Sequence, residues 1–176
     1  MNTGRQRLTF QGHNNPVADV RFSSDGKWLV SGGGGHDEST PGELKIWDAE
    51  DGREIKSLQG HAGAVLGLAV SPDCRQIAST GLDQTVRIWD SATGIQSRLL
   101  EGHSGIVWCV CFSPDGKLLA SGGDDHIVRV WDVANGQQIN SFDRHENRVT
   151  GIVFSLDGKH VTSTDERIWR WNTALP

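Results

Sequence analysis

The chain lacks the long apolar segments that membrane insertion and secretion require. None of its 176 residues belongs to an apolar run approaching 18 residues, which excludes a membrane-spanning helix. The first residues, Met1 to Arg7, also lack the apolar core of a signal peptide. These absences predict a cytoplasmic protein with no membrane partner.

Cysteine is scarce and poorly placed for crosslinking. The three cysteines, Cys74, Cys109 and Cys111, cannot all pair with one another. Cys109 and Cys111 lie two residues apart on a predicted strand, where they share a face but are badly placed for a disulfide. Free thiols of this kind indicate a reducing compartment.

Sequence signals for metals, cofactors and nucleic acids are also missing. No second Cys/His pair stands at ligand spacing, and adjacent side chains such as His36, Asp37 and Glu38 rarely converge on one ion, so we expect no metal. The glycine run 32–35 lacks the Lys-Ser/Thr that closes a phosphate-binding loop, so we expect no cofactor. A formal net charge of −5 argues against nucleic acid as the partner.

A repeat dominates what is present. Trp-Asp pairs begin at Trp47, Trp89 and Trp131, and a degraded Trp-Asn pair begins at Trp171, so the steps are 42, 42 and 40 residues (89 − 47, 131 − 89, 171 − 131). A histidine recurs at a similar interval, with steps of 48, 42 and 42 residues between His13, His61, His103 and His145. A period of about 40–45 residues carrying both signals is typical of propeller repeats.

Each repeat predicts four short antiparallel strands. A short run rich in β-branched residues follows each histidine, as at Val65 and Val107, and predicts a strand. Each run is followed by a Ser-x-Asp turn. A second strand, an alternating third strand ending at the Trp, and a polar fourth strand follow. One such sheet cannot bury both of its faces, so the sheets must stack on one another.

Together these motifs resemble the WD-repeat β-propeller family over nearly the whole chain. The resemblance implies an all-β fold in one domain, 1–176, with four blades of four antiparallel strands. The repeats fall at approximately 12–59, 60–101, 102–143 and 144–173. The first repeat departs from the pattern through an insertion between its second and third strands, and the fourth is two residues shorter.

The resemblance also implies a structural tetrad in each blade, a hydrogen-bonded chain of Trp, Ser, His and Asp. Three sets match: His61, Ser79, Asp83 and Trp89; His103, Ser121, Asp125 and Trp131; His145, Ser163, Asp165 and Trp171. In the first repeat His13, Ser31 and Trp47 are present, but Pro41 falls where the Asp should be.

These residues could be mistaken for a catalytic triad. A catalytic set should be unique, whereas this one recurs at the repeat period, and buried imidazole and indole groups need such partners. We therefore expect no enzyme; the competing hypothesis is an enzyme with a site in the propeller channel.

The same resemblance predicts a recognition surface, here called the top face, where each first strand begins. Alternation along the first strands predicts these exposed positions: Pro16, Ala18, Ala64, Leu66, Ile106, Trp108, Arg148 and Thr150. The residue just before each tetrad Asp joins them: Leu82, Asp124 and Thr164. They differ between repeats while the scaffold residues repeat. Trp108 is the strongest candidate anchor, because aromatic residues are enriched at interface hot spots; packing between blades is its alternative role.

The ends of the repeat array predict how the ring closes. Residues 1–11 resemble a fourth strand without its first three, and 145–173 resemble three strands without a fourth. Four blades in one ring need about 90° each, whereas eight blades from two chains need about 45°, closer to the usual WD-repeat ring. We expect a homodimer that forms eight blades; a fragment of a longer propeller and a closed four-blade monomer are the alternatives. The predicted function is a non-catalytic, self-assembling scaffold that binds proteins or peptides.

Overall fold

The computed structural model describes residues 8–35 and 40–173. Within these ranges the chain forms fifteen strands and no helix. The strands of the first two blades are β1 (Val17–Phe22), β2 (Trp28–Gly33), β3 (Glu43–Asp48), β4 (Glu54–Leu58), β5 (Val65–Val70), β6 (Gln76–Gly81), β7 (Val86–Asp90) and β8 (Gln96–Leu100). The strands of the last two blades are β9 (Val107–Phe112), β10 (Leu118–Gly123), β11 (Val128–Asp132), β12 (Gln138–Phe142), β13 (Gly151–Phe154), β14 (His160–Thr164) and β15 (Ile168–Asn172).

The strands form four antiparallel sheets, each in simple chain order. Blades 1, 2 and 3 are the four-stranded sheets β1–β4, β5–β8 and β9–β12, and blade 4 is the three-stranded sheet β13–β15. The predicted all-β architecture of four antiparallel blades is thus confirmed. Blade 4 lacks a fourth strand among the described residues.

The turn between the first two strands of each blade is built by a serine and an aspartate. In blade 3 the Ser113 hydroxyl donates to Asp115 at 2.6 Å and accepts the backbone N–H of Leu118 at 2.9 Å. The turn needs a residue with positive φ, which Gly116 supplies at 72°. Blade 2 places Cys74 there at 62°, the left-handed conformation that glycine adopts without steric cost.

The core consists of apolar clusters between neighbouring blades. Between blades 1 and 2, for example, Val30, Leu44 and Ile46 pack against Val65 and Leu68. Matching clusters join blade 2 to blade 3 and blade 3 to blade 4. The first strands also pack side by side, β1 with β5, β5 with β9 and β9 with β13, so they line the inside of the array.

The array is an open arc. On the free side of blade 1, Val20 is 49% exposed, whereas its repeat equivalent Leu68 is 1% exposed. On the free side of blade 4, Ile168 is 79% exposed, whereas its equivalent Val128 is fully buried. The closed four-blade ring is therefore not formed by the described residues.

The start of the described chain lies against blade 1 and outside any strand. Phe10 contacts Trp47 edge-on, with ring centroids 6.0 Å apart. A Cβ added to Gly12 would lie 3.0 Å from the Trp47 ring, much as one on Gly60 would lie 2.9 Å from the Trp89 ring. Residues 8–12 thus occupy the place on blade 1 that the end of β4 occupies on blade 2. The predicted pairing of 1–11 with 145–173 is not made within this chain by residues 8–11, and residues 1–7 lie outside the described ranges.

Two further sequence expectations concern a metal site and a membrane span. The segment containing His36, Asp37 and Glu38 lies outside the described residues. In the described ranges no helix is long and apolar enough to cross a membrane.

Candidate functional site: the tetrads and the top face

Blades 2 and 3 each bring the four predicted tetrad residues together in one hydrogen-bonded chain. In blade 3 the Trp131 indole N–H donates to Ser121 Oγ at 2.9 Å, and Ser121 Oγ lies 2.8 Å from His103 Nε2. His103 Nδ1 lies 3.0 Å from both Asp125 oxygens. A neutral histidine that accepts from Ser121 and donates to Asp125 satisfies every one of these contacts.

Blade 2 repeats this geometry. Trp89 donates to Ser79 Oγ at 2.8 Å, Ser79 lies 2.7 Å from His61 Nε2, and His61 Nδ1 lies 3.0 Å from Asp83. Each tetrad ties a loop at the top of the blade to the third strand. The Asp83 carboxylate also accepts the backbone N–H of Ala62 at 3.1 Å, so it holds the loop that leads into β5.

The tetrad carboxylates hold their charge strongly. Burial alone would raise the pKa of Asp83, but the hydrogen bonds that its carboxylate accepts from His61, the Ala62 backbone and Thr85 outweigh burial and lower the pKa well below its usual range. The same balance, with Arg129 added to His103, lowers the pKa of Asp125. Arg129 donates to Asp125 at 2.6 Å.

The first blade completes its tetrad with a glutamate, which corrects the sequence reading at Pro41. Trp47 donates to Ser31 at 2.7 Å, Ser31 lies 2.6 Å from His13 Nε2, and His13 Nδ1 lies 3.0 Å from Glu43 Oε2. Glu43 is two residues beyond Pro41, and the longer side chain reaches the histidine from the start of β3. Fixed repeat offsets failed here because the insertion precedes β3.

Blade 4 holds a distorted version of the tetrad. Trp171 donates to Ser163 at 2.7 Å, and Ser163 lies 2.7 Å from His145 Nε2. His145 Nδ1 lies 3.1 Å from Asp165 Oδ2, but the two atoms are not aligned for a hydrogen bond. The two residues missing from this repeat shorten the loop that carries Asp165.

A tryptophan lies next to this acid in place of the arginine of blades 2 and 3. Trp169 occupies the position of Arg87 and Arg129, and its indole N–H donates to Asp165 at 3.2 Å. Its ring stacks on Trp171 with centroids 5.7 Å apart and an interplanar angle of 6°. Sequence reasoning missed this exchange, although the repeat alignment places Trp169 against two arginines.

The tetrads offer no accessible nucleophile. Ser79 and Ser121 are fully buried, and each hydroxyl is engaged by a tryptophan on one side and a histidine on the other. A substrate cannot approach them without opening the blade. Their geometry therefore suits a structural role.

The predicted top-face residues fall into three groups by exposure. Pro16, Ala18, Arg148 and Thr150 are exposed. Leu66, Leu82, Ile106, Trp108, Asp124 and Thr164 are half-buried. Ala64 is buried, which corrects its expected exposure: the backbone of Gly34 crosses it so closely that a Cβ on Gly34 would lie 2.8 Å from the Ala64 Cα.

Three of these residues form a contact group that spans blades 3 and 4. The Trp108 indole N–H donates to Asp124 Oδ1 at 2.7 Å. Arg148 places its guanidinium carbon 5.5 Å from the centroid of the Trp108 ring, and its Nε lies 3.7 Å from Asp124 Oδ1. Alternation predicts Trp108 and Arg148, and the position before the tetrad acid predicts Asp124, but none of these signals predicts the contact across the two blades.

Comparison with known proteins agrees with this architecture. The WD40 family, described as "WD domain, G-beta repeat", matches residues 4–48, 52–90, 94–132 and 136–172. These four segments cover most of the chain, and the chain belongs to the WD-repeat family. The last three matched units begin just before the fourth strand of one blade and end at the last residues of the third strand of the next.

Curated relatives share shorter stretches. The chain is 39% identical over 87 residues to nuclear distribution protein PAC1 of Arthroderma otae, covering 45% of this chain and 18% of that protein. It is 33% identical over 85 residues to WD repeat and SOCS box-containing protein 1 of Mus musculus, covering 48% and 19%. It is 32% identical over 79 residues to guanine nucleotide-binding protein subunit beta of Saccharomyces cerevisiae, covering 45% and 17%. Each match therefore spans less than a fifth of the relative.

Proposed function

We propose that this chain is a non-catalytic scaffold that binds a protein or peptide through its top face. The observation that carries the proposal is the contrast between its two sets of polar residues. The Trp, Ser and His of the tetrad recur in all four blades, and in blades 1, 2 and 3 the chain is completed by an acid, whereas the top-face residues differ from blade to blade and all except Ala64 are exposed or half-buried. A surface that varies on a constant frame suits recognition rather than chemistry.

Membership of the WD-repeat family supports this proposal in general terms. One relative is named as the beta subunit of a guanine nucleotide-binding protein, so it works as part of an assembly. No enzyme activity is needed to explain any residue of the described tetrads. The partner is expected to be neither nucleic acid nor membrane, since the chain carries a net charge of −5.

Affinity capture with matched variants tests the proposal. Trp108→Ala should weaken partner capture while the fold is retained, because Trp108 is half-buried and outside every tetrad. Arg75→Ala, on the turn at the opposite end of the strands, is the control and should capture the partner normally. A footprint lying wholly on the outer rim would overturn the top-face assignment. A hydrolase, kinase or phosphatase activity abolished by one point mutation in folded protein would overturn the scaffold itself.

We propose in addition that two copies complete one ring of eight blades. Support comes from the two free faces of the arc. Blade 1 exposes Val17, Val20 and Phe22, at positions whose equivalents in blade 2 bury against blade 1. Blade 4 exposes Val153 and Ile168 on its opposite side. A second copy would cover both faces at two junctions related by symmetry.

Turn packing supports the same pairing. A Cβ on Gly116 would lie 3.6 Å from Pro72 of the preceding blade, and one on Gly158 would lie 4.0 Å from Pro114, whereas Gly26 has no neighbour within 4 Å. Leu156, the repeat equivalent of Pro72 and Pro114, is 96% exposed. In the dimer, Leu156 of one copy would cover Gly26 of the other.

The fourth strand of blade 4 would come from the start of the second copy. Residues 8–12 already lie on blade 1 where the end of a preceding blade's outer strand belongs. The sequence Gly4-Arg5-Gln6-Arg7-Leu8-Thr9-Phe10 parallels Gly52-Arg53-Glu54-Ile55-Lys56-Ser57-Leu58, which contains β4. In the alternative arrangement, further blades of a longer polypeptide cover the same two faces.

We also propose a reducing, cytoplasmic setting. Cys74, Cys109 and Cys111 are free thiols in the structure. Burial raises the pKa of Cys111 to about 12 and raises that of Cys109 as well, so both thiols stay protonated and unreactive at neutral pH. Thiol titration of denatured protein purified under air should find all three cysteines free, and a disulfide would contradict the proposal.

A further inference from the structure

The contact group of Trp108, Asp124 and Arg148, here called the Trp108 cluster, leaves one charged group without a full set of partners. The cluster lies at the seam where blade 3 meets blade 4 on the top face. Asp124 takes the indole N–H of Trp108 and faces the Nε edge of Arg148. Trp108 offers its ring to the guanidinium.

These contacts orient Arg148 without saturating it. Its ring contact and its edge contact together hold the guanidinium over Trp108. The described residues supply no hydrogen bond to its two terminal nitrogens, and the side chain is 58% exposed. A guanidinium held this way presents a planar fork of N–H donors, which matches the two oxygens of a carboxylate.

Other charges on the loop before β13 do not occupy that fork. Glu146, two residues earlier, lies 3.5 Å from Arg167. Asp124 points at the Nε edge of the arginine and accepts the indole proton. Thr150, the next exposed top-face position along the chain, adds no charge.

We infer that the Trp108 cluster is a carboxylate receptor for a peptide partner. Arg148 would grip the carboxylate with its terminal N–H groups, while Trp108 and Asp124 position the guanidinium. This assignment rests on the proposed function, because it specifies the ligand of the same top face. It also changes the role of Trp108 from a free anchor to a positioning residue. The carboxylate could belong to an acidic side chain or to a chain terminus.

A peptide titration followed by NMR distinguishes these sources. The probes are capped Gly-Gly-Glu-Gly-Gly, its capped Gln analogue, and pentaglycine as the free acid and as the amide. At least one carboxylate peptide should shift the Trp108 indole N–H resonance saturably, with a Kd of roughly 1–10 mM for such a small contact. The buried Trp89 indole should not respond. Which peptide binds identifies the source of the carboxylate.

Variants separate a specific contact from general attraction. Arg148→Gln should weaken binding on the order of tenfold or more, since a charge-assisted bond is lost. Arg75→Gln removes the same charge from the opposite end of the strands and should bind like the unaltered chain. Equal shifts with acid and neutral peptides, no shift at all, or unchanged binding by Arg148→Gln would each overturn the inference.

The two proposals fail in different ways. A natural partner whose footprint covers the top face but whose capture ignores Arg148→Gln would overturn the carboxylate receptor and leave the scaffold proposal standing. A footprint away from the top face would overturn both.

Discussion

Single residues in this chain divide into those that hold the blades and those that vary on their surface. The serine of each tetrad shows the first kind most clearly. The fully buried Ser121 hydroxyl accepts a hydrogen bond from Trp131 and contacts His103 Nε2. Without Ser121, water could not easily replace it as a hydrogen-bond partner for these two side chains. The tetrads thus stabilise the fold, and mutations there should lower the free energy of unfolding rather than abolish an activity.

Removing a tetrad acid should destabilise the fold. Asp125→Ala leaves the Nδ1 edge of His103 and the guanidinium of Arg129 without their carboxylate. The expected loss is about 1–3 kcal/mol of unfolding free energy, the cost of leaving a buried polar group unpaired. Urea denaturation measures it, with Glu101→Ala at an exposed site as the control. An unchanged unfolding midpoint would count against the structural role of Asp125.

Acid should weaken the protein for the same reason. Asp83 and Asp125 have folded-state pKa values below the 3.8 of a free aspartate, so their stabilisation is complete above that value. It is lost progressively as the pH falls through 3.8 towards the lower folded pKa. Urea midpoints should therefore drop as the pH is lowered below about 4. Asp125→Asn should flatten this dependence, and a flat profile in the unaltered chain would contradict the assignment.

At the scale of the residue, repeat spacing predicted the members of three tetrads, left the acid of blade 1 unassigned, and placed the buried Ala64 on the surface. Repeat spacing identifies residues only where the spacing is kept. In blade 1, which carries the insertion, the acid is Glu43, and the backbone of Gly34 lies close against Ala64 of blade 2. Neither feature follows from local propensity, because the first depends on a loop of changed length and the second on how closely neighbouring blades approach.

At the scale of strands and turns, prediction was more reliable. The Ser-x-Asp turns and the four strands of blades 1, 2 and 3 follow from hydrophobic alternation and glycine placement, and the repeat supplies the register. Contacts between blades were harder to foresee. The Trp108 cluster joins residues 24 and 16 positions apart (148 − 124 and 124 − 108), and it becomes visible only after the blades are stacked.

Residues 1–10, before blade 1, are the segment that the ring proposal uses to join two copies. Deleting residues 1–10 removes Phe10 from Trp47 and removes the strand proposed to pair with β15 of a second copy. An edge strand left open on each chain invites aggregation. We expect monomers or aggregates, measured by size-exclusion chromatography. A deletion variant that keeps the size of the unaltered protein would show that this segment does not join two copies.

At the scale of the whole molecule, the arc leaves two different faces uncovered. The face of blade 1 resembles the interior faces of blades 2 and 3, since Val20 and Phe22 stand where Leu68, Val70 and Phe112 pack. The free face of blade 4 is more polar: Thr162 and Arg170 stand where blade 3 has Ala120 and Val130. A junction between these two faces would be weaker than the seams inside the chain, so the dimer should dissociate before the blades unfold.

The most direct test of the proposed assembly is light scattering coupled to size exclusion. Two copies in one ring predict a particle of twice the chain mass at micromolar concentration. Val20→Asp should reduce it to single chains, because the change places a charge on the exposed face of blade 1 and leaves the tetrads untouched. A well-folded chain that stays monomeric at high micromolar concentration would contradict the eight-blade ring.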